Sequence, residues 1–485
     1  MSGVFRFATV WFVFAGTIIG VCALIGTDAG TEYENLILAC IILQISACLF
    51  FAFRIKTWSI NRAEGCVLLV ILWVVLPLPI GISMMQSIDL SFVDAYFEAT
   101  SALTTTGATI ITSYENIPNS VLFLRGMTQW LGGLLTLMGV FSIMAPAGLG
   151  GLPRKNTTFI NSDNKRSQLS QRSVSYKIIL SYIALSALCF ILLKVSQVSF
   201  LDAFLLSLTT VSSGGFVFSD TPISEIGGVF TPLVLMVFMI LAGSSIIWQG
   251  YIVAWRKELV RNHRETYYYF AAIILFGIIF SLTFFERAGS VSVLTPFDAL
   301  SEGFFTAISL ISTTGFEIRN SSFSVLPATL LMMIVLVGGC SFSTAGGISF
   351  YRIGAMLVHS FKDLKKLVHP NSVHCSNFGS HKFEIDLVKA VWTYFFLVAI
   401  TIMLGAIFLA LRLETFEAAL IASIAAFSNI GAFYATGWNE TGQWLEFKDM
   451  DAVSKMALCA LMILGRLHIV SLLIAFNRTY WQQTR

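Results

Sequence analysis

Residues 94–108 read DAYFEATSALTTTGA: an acid, a short apolar stretch, then three threonines and a glycine. The closing TTTGA is poor helix, and it holds no nucleophile motif, phosphate-binding loop or cluster of metal-binding side chains. The stretch returns three times. DAFLLSLTTVSSGGF spans 202–216, EGFFTAISLISTTGF spans 302–316 and EAALIASIAAFSNIGAF spans 417–433. An acid stands thirteen residues before a glycine in the first three copies (Asp94–Gly107, Asp202–Gly215, Glu302–Gly315) and fourteen before it in the fourth (Glu417–Gly431). The glycines recur at intervals of 108, 100 and 116 residues. An internal period of this length governs the fold of the whole chain.

The copies sit in a chain of 485 residues that is 56% hydrophobic and 12% charged, with 42 phenylalanines and a mean hydropathy of +0.80. Soluble chains carry roughly a quarter charged residues, so this composition is that of an integral membrane protein. Long apolar runs near 5–25, 36–53, 66–87, 120–146, 174–195, 229–255, 267–285, 325–355, 387–411 and 452–477 predict ten spans. The first run lacks a small-residue cleavage site and exceeds a signal-peptide core in length, so it reads as a retained span. Basic residues collect in alternate loops: Arg54, Lys56 and Arg62; Arg154, Lys155, Lys165, Arg166, Arg172 and Lys177; Arg256, Lys257, Arg261 and Arg264; Arg352, Lys362, Lys365, Lys366 and Lys382. The opposite loops are acidic or weakly charged, which places both termini in the cytoplasm. The eight cysteines show no paired spacing and read as reduced core residues rather than disulfides or a zinc site. A net charge of +3 gives no ground for nucleic-acid binding.

Between the two spans of each later pair lies a shorter apolar segment, at 93–104, 201–212, 302–312 and 417–427. These are too short to cross a hydrocarbon core. They read as re-entrant half-helices, which persist at membrane depth only where protein surrounds them or water fills a cavity. The second span of each unit also carries a glycine mark: WLGG (Gly132, Gly133), LAGS (Gly243), VGGC (Gly338, Gly339) and LGRL (Gly465). The predicted fold is an all-α polytopic membrane protein. Two leading helices (1–62) precede four span–half-helix–loop–span repeats at 63–173, 174–264, 265–386 and 387–485, in a pseudo-fourfold arrangement.

Such loops suit a small dehydrated cation. Backbone carbonyls of an extended segment give closely spaced sites of moderate strength, where carboxylates would hold the ion too long for fast transit. Glycine lets successive carbonyls turn inward. Each half-helix would also aim its negative C-terminal end at the pathway. In the third unit, GGCSFSTAGG (338–347) puts four glycines and three hydroxyl residues into ten positions of a span. It predicts an unwound intramembrane loop, since glycine alone costs up to about 1 kcal/mol per helical position. Arg466 lies inside the last span, where an arginine costs at least about 2.5–3.5 kcal/mol. It should therefore face the pore or pair with carbonyls of the broken loop.

Together TTTGA, SSGGF, STTGF, SNIGAF and GGCSFSTAGG resemble the Trk/Ktr/HKT superfamily of potassium transporters, most closely its bacterial TrkH type, over nearly the whole chain. The resemblance implies a potassium-selective, rubidium-tolerant uptake pore in the cytoplasmic membrane, within a single subunit. Its filter would be Thr105, Thr106, Gly107 and Ala108; Ser213, Gly214, Gly215 and Phe216; Thr313, Thr314, Gly315 and Phe316; and Asn429, Ile430, Gly431 and Ala432. In the second copy Gly214 and Gly215 compete for the key position, and acid spacing and Phe216 favour Gly215. The fourth copy departs most, with Asn-Ile before its glycine. Some plant relatives with serine at the first filter glycine resemble sodium carriers, so Gly107 points to potassium.

The resemblance gives the role of gate to Gly338, Gly339, Cys340, Ser341, Ser343, Thr344, Gly346 and Gly347, with Arg466. It further implies a homodimer and a cytosolic nucleotide-binding regulator of the TrkA kind. The chain shows no nucleotide motif of its own, so potassium is the expected ligand and the lipid bilayer the expected medium. A proton- or sodium-coupled secondary cation transporter is the alternative, because broken helices mark those proteins too. An enzyme is not expected, since neither G-x-S-x-G nor H-E-x-x-H occurs.

Overall fold

A computed structural model of the chain describes residues 2–25, 62–114, 117–145, 151, 164–228, 230–291, 296–319, 322–369, 377–378, 381–382, 385–435 and 444–476. The second leading span predicted at 36–53 lies outside the described residues, as do Arg54, Lys56, Arg154 and Lys155. The first leading helix is α1 (Ser2–Ile25). Repeat 1 begins with α2 (Arg62–Val75) and α3 (Pro77–Ile88), which together make one apolar span, Ala63–Met85. Leu76 between them is itself helical, so the span runs on through Pro77, whose missing N–H interrupts the helical bonding there without ending the span. The half-helix α4 (Phe92–Leu103) and second span α5 (Asn119–Gly139) follow, the latter running into a π turn at Val140–Met144.

Repeat 2 comprises α6 (Asn164–Val195), half-helix α7 (Phe200–Ser212), and α8 (Thr231–Gly243) with α9 (Ile246–Val253). The short α10 (Lys257–Asn262) leads to repeat 3: α11 (Arg264–Val291), half-helix α12 (Pro296–Ile311), α13 (Ala328–Val337) and α14 (Phe350–Val368). A two-stranded hairpin, Asn377–Phe378 with His381–Lys382, lies in the following loop. Repeat 4 holds α15 (Ile385–Ala410), half-helix α16 (Phe416–Phe427), the single turn α17 (Ala432–Ala435), α18 (Ala452–Leu467) and α19 (Ile469–Phe476).

The first spans of repeats 2–4 turn large apolar side chains outward: Leu180 and Ile191 on α6, Ile274 and Leu282 on α11, Ile400 and Leu404 on α15. An outward apolar face of this kind suits lipid. The half-helices are the reverse. From Ala95 to Leu103 every residue of α4 is buried, polar Glu98, Thr100 and Ser101 included.

Local chemistry explains where the half-helices start. The Ser91, Ser199 and Thr415 hydroxyls cap α4, α7 and α16 by accepting the N–H groups of Asp94, Asp202 and Ala418. Asp94 and Asp202 lie in the first turn and accept from the cap hydroxyls at 2.7 and 2.8 Å. The third copy departs from the expected 302–312. Its helix starts at Pro296 with Asp298 in the first turn, and Glu302 lies one turn further in, accepting from the Ser322 hydroxyl at 2.8 Å. The first helical residue stands fifteen before the loop glycine in three copies (Phe92–Gly107, Phe200–Gly215, Phe416–Gly431) and nineteen before it in the third (Pro296–Gly315). The extra four residues are one helical turn. The third half-helix is simply longer, and the acid spacing is no guide to its start.

A second difference concerns the second spans. The sequence marks only that of repeat 3 as broken, whereas three are interrupted. Repeat 2 bends by 105° between α8 and α9, repeat 3 unwinds from Gly338 to Ser349, and repeat 4 breaks at His468, whose φ is 49°.

Candidate functional site

All four half-helices end alike. The residue two before each loop glycine is left-handed: Thr105 (φ 52°), Ser213 (55°), Thr313 (54°) and Asn429 (55°). Its N–H donates to the carbonyl three back (Ala102, Thr210, Leu310, Ala426), and the next N–H to the carbonyl five back (Ser101, Thr209, Ser309, Ala425). This is the Schellman closure. Glycine usually occupies the left-handed position, and a residue with a side chain costs roughly 1–2 kcal/mol there. Here the side chains make compensating bonds, described below. Gly107, Gly215 and Gly315 are left-handed in turn, with φ of 77°, 72° and 79°. The backbone register thus makes Gly215, rather than Gly214, the counterpart of Gly107. Gly431 is not left-handed, so the fourth loop takes a different path after Asn429.

The glycines sit where neighbouring loops touch. A Cβ added to Gly107 would strike Gly214 O, one on Gly215 Thr314 O, one on Gly315 the Ile430 and Ala432 side chains, and one on Gly431 the backbone of Ala108. Loop one meets two, two meets three, three meets four, and four returns to one. The four loops form a closed ring. Its closing seam is hydrogen-bonded, Gly431 N–H donating to Thr106 O at 2.5 Å and Asn429 Nδ2 to Thr106 Oγ1 at 3.1 Å. Gly214 O is also engaged, accepting from the Gln129 amide at 2.7 Å. Hydroxyl pairs brace loops one and three equivalently, Thr104–Thr106 and Ser312–Thr314, both at 2.8 Å.

The unwound segment of repeat 3 lies against the base of this ring. Gly346 N–H donates to Thr313 Oγ1 at 2.7 Å, and Thr344 Oγ1 meets Ser213 Oγ at 2.8 Å. A Cβ on Gly346 would strike Ser428 O, with the Asn429 side chain just beyond. Arg466 completes the set. Its Nη1 donates to Thr344 O at 2.7 Å and its Nε to Thr104 O at 2.8 Å, while Nη2 reaches Thr105 Oγ1. Thr105, Ser213 and Thr313 are thereby bonded by the unwound segment or by the arginine that holds it, and Asn429 lies beside Gly346. Arg466 pairs with a carbonyl of the broken loop, and its buried charge faces three oxygens.

The bend in repeat 2 belongs to the same construction. A break in a span exposes backbone groups that water cannot reach. Gly243 O accepts from Cys340 N–H at 2.9 Å, and Ile246 N–H donates to Phe342 O at 3.0 Å, so one interrupted span completes the other. Glu265, buried in the first turn of α11, accepts from Ser341 N–H at 2.5 Å and Tyr351 N–H at 3.2 Å, tying the segment to the head of α14. Arg352 lies beside it, donating to Ile348 O at 2.7 Å, meeting His468 Nδ1 at 3.2 Å and resting over the Tyr394 ring. Lys455 reaches Asp94 at 2.5 Å and holds the start of α4.

Sequence reading named the sixteen loop residues and the segment 338–347 as candidates, and it gave no site role to Gln129, Glu265, Arg352 or Lys455. A charged or amide side chain within an apolar run was the available signal, the same one that singled out Arg466. Among the described residues no group of His, Cys, Asp and Glu is placed to hold a metal ion.

Comparison with known proteins agrees with this fold. The family model for TrkH, described as a cation transport protein, matches residues 33–483. The chain belongs to the TrkH family. Relatives in that family include Trk system potassium uptake protein TrkH of Escherichia coli K12, 27% identical over 97% of each chain. TrkH of Salmonella typhimurium is 28% identical over 97% of each, and TrkG of Escherichia coli K12 is 25% identical over 87% of this chain and 86% of its own. The crystal structure of the potassium transporter TrkH from Vibrio parahaemolyticus superposes with a TM-score of 0.85, covering 99% of both chains at 23% identity. The TrkH family member described is therefore a multi-pass membrane transporter with this helical fold, and not an enzyme.

Proposed function

We propose that the ring of loops is a potassium filter and that the protein takes up potassium, with rubidium tolerated, through a pore within one subunit of the cytoplasmic membrane. What supports this reading most is the cyclic contact of the four glycine loops, each arriving at the C-terminal end of a buried half-helix. Four such ends bring partial negative charge toward one axis, and carbonyls spaced along the loops replace the hydration shell. The filter is not fourfold in detail. An ion at the level of Thr106 competes with Gly431 N–H for that carbonyl, which favours a few layers of moderate affinity. Inward movement is driven by the membrane potential, about 2.3 kcal/mol per charge per 100 mV.

The gate in this reading is the unwound segment of repeat 3, including Gly338, Gly339 and Gly347, with Arg466 as its brace. Its downstream end is the helix α14, which continues into the stretch bearing Lys362, Lys365 and Lys366. A nucleotide-binding cytosolic regulator of the TrkA kind that moves α14 would pull on Ser349 and Tyr351, and so on the segment. A homodimer with both termini cytoplasmic accompanies the proposal.

Coupled transport is the competing reading, and buried Glu265 beside the segment is the observation in its favour. Ion flux into liposomes containing the purified protein separates the two. Potassium entry down its own gradient, resisted by rubidium more than sodium, supports the pore. Entry that requires an imposed proton or sodium gradient supports coupling, and no flux of any monovalent cation by folded protein removes both.

A further inference from the structure

An ion pair that the filter and gate do not use holds the first loop from behind. Glu98 lies midway along α4 and Arg125 near the second turn of α5, both side chains fully buried. Arg125 Nη2 meets Glu98 Oε1 at 2.8 Å and donates to Thr109 Oγ1 at 3.0 Å. Thr109 Oγ1 donates to Glu98 Oε1 at 3.1 Å, and Ile110 N–H to Glu98 Oε2 at 3.1 Å. Thr109 and Ile110 directly follow Ala108, so the pair grips the outward limb of loop one. The same guanidinium lies 4.0 Å from the centre of the Phe216 ring, the residue after Gly215 in loop two. One turn further along α5, Gln129 holds Gly214 O of that loop.

The half-helix does not need charge at this position to fold. Nine residues before the glycine, where repeat 1 has Glu98, the other repeats have Leu206, Thr306 and Ala422. Burying two charges costs several kcal/mol each in desolvation, and an apolar pair of similar volume is often as stable. What distinguishes the charged pair is its reach, since a single guanidinium contacts both loop one and loop two. We propose that Glu98 and Arg125 are positioning residues that fix the separation of loops one and two, and through it the discrimination between potassium and sodium. The inference rests on the reading of the ring as a filter.

The test uses the full chain in liposomes and measures potassium and sodium uptake in the same vesicles. Their ratio does not depend on how much of the protein is folded. The double variant Glu98→Gln with Arg125→Met removes both charges and leaves neither orphaned. Its potassium-to-sodium ratio should fall about tenfold or more, the scale of lost charge-assisted hydrogen bonds. Thr109→Val keeps both charges and removes the hydroxyl that bonds to each of them, and its ratio should fall about tenfold, the scale of a hydrogen bond to a charged group. Wild-type ratios in both variants overturn the inference, and if the double variant does not fold, a wild-type ratio in Thr109→Val overturns it alone. Absence of potassium preference in the wild-type protein overturns the filter reading, and this inference with it.

Discussion

Replacing Arg466 with alanine tests the brace between the ring and the unwound segment. Of the three bonds Arg466 makes, only the one to Thr344 O, at 2.7 Å, holds the segment itself. The other two end on Thr104 O and Thr105 Oγ1 of the first loop. A charge-assisted bond contributes about 1.5–3 kcal/mol. Its loss shifts a closed-to-open ratio by roughly ten- to a hundred-and-fifty-fold, at about 1.4 kcal/mol per factor of ten. The contacts of Cys340 with Gly243, Thr344 with Ser213 and Ser341 with Glu265 remain, so the segment loosens rather than detaches. Potassium flux into liposomes should therefore rise by at least about tenfold at equal amounts of folded protein, the lower end of that range. In the proposed reading, removing a positive charge beside the filter acts in the same direction. Arg466→Lys keeps the charge but lacks the fork, and one ammonium cannot span three diverging oxygens, so its flux should lie between wild type and alanine. Flux of Arg466→Ala at or below wild type, with monodisperse protein by size exclusion, refutes the reasoning.

The ring makes a sharper demand at Gly107. A side chain there is strained at φ 77° and collides with Gly214 O, so Gly107→Ser should lose potassium preference over sodium in competition flux while other spans stay folded. Gly346→Ala drives a methyl group against Ser428 O and should wedge the segment off the ring, raising basal potassium flux in the same assay. At the N-terminal end of α18, the Ser454 hydroxyl, its N–H and nearby Arg412 hold the Asp451 carboxyl below its ordinary value. A carboxyl with a lowered folded pKa stabilises fully above the ordinary carboxylate range and loses that contribution as pH falls through the lowered value. Thermal unfolding of Asp451→Asn should thus start below wild type at neutral pH, and the two should converge as pH falls through the lowered value.

What the sequence disclosed and what it withheld follow from where each cause lies. The loops and the break at 338–347 were legible because glycine and hydroxyl residues inside grease alter the backbone wherever they stand. The register of loop two followed from counting residues along its half-helix. The start of α12 was not legible by its acid, because the cap fixes a helix start and Glu302 is bonded to Ser322 for another purpose. The bend at Ser244–Ser245 was hidden for a different reason. One glycine and two serines do not break a span by themselves, and the groups that satisfy the exposed backbone come from Cys340 and Phe342, about a hundred positions later. Glu98, Arg125 and Lys455 stand as charges among apolar residues, but the sequence reading passed over them, because their partners are set by packing alone.

That dependence of one interrupted span on the other bears on how the chain is made. Synthesis delivers α8 and α9 to the membrane well before residue 338 exists, and until then Gly243 O and Ile246 N–H lack their final partners. The second repeat cannot reach its finished shape during its own insertion. A ribosome-bound chain ending after α10 should hold these helices exposed to protease or crosslinker, and one extended past α14 should protect them. Assembly of this protein is thus a sequence of provisional states, closed late by the unwound segment of repeat 3.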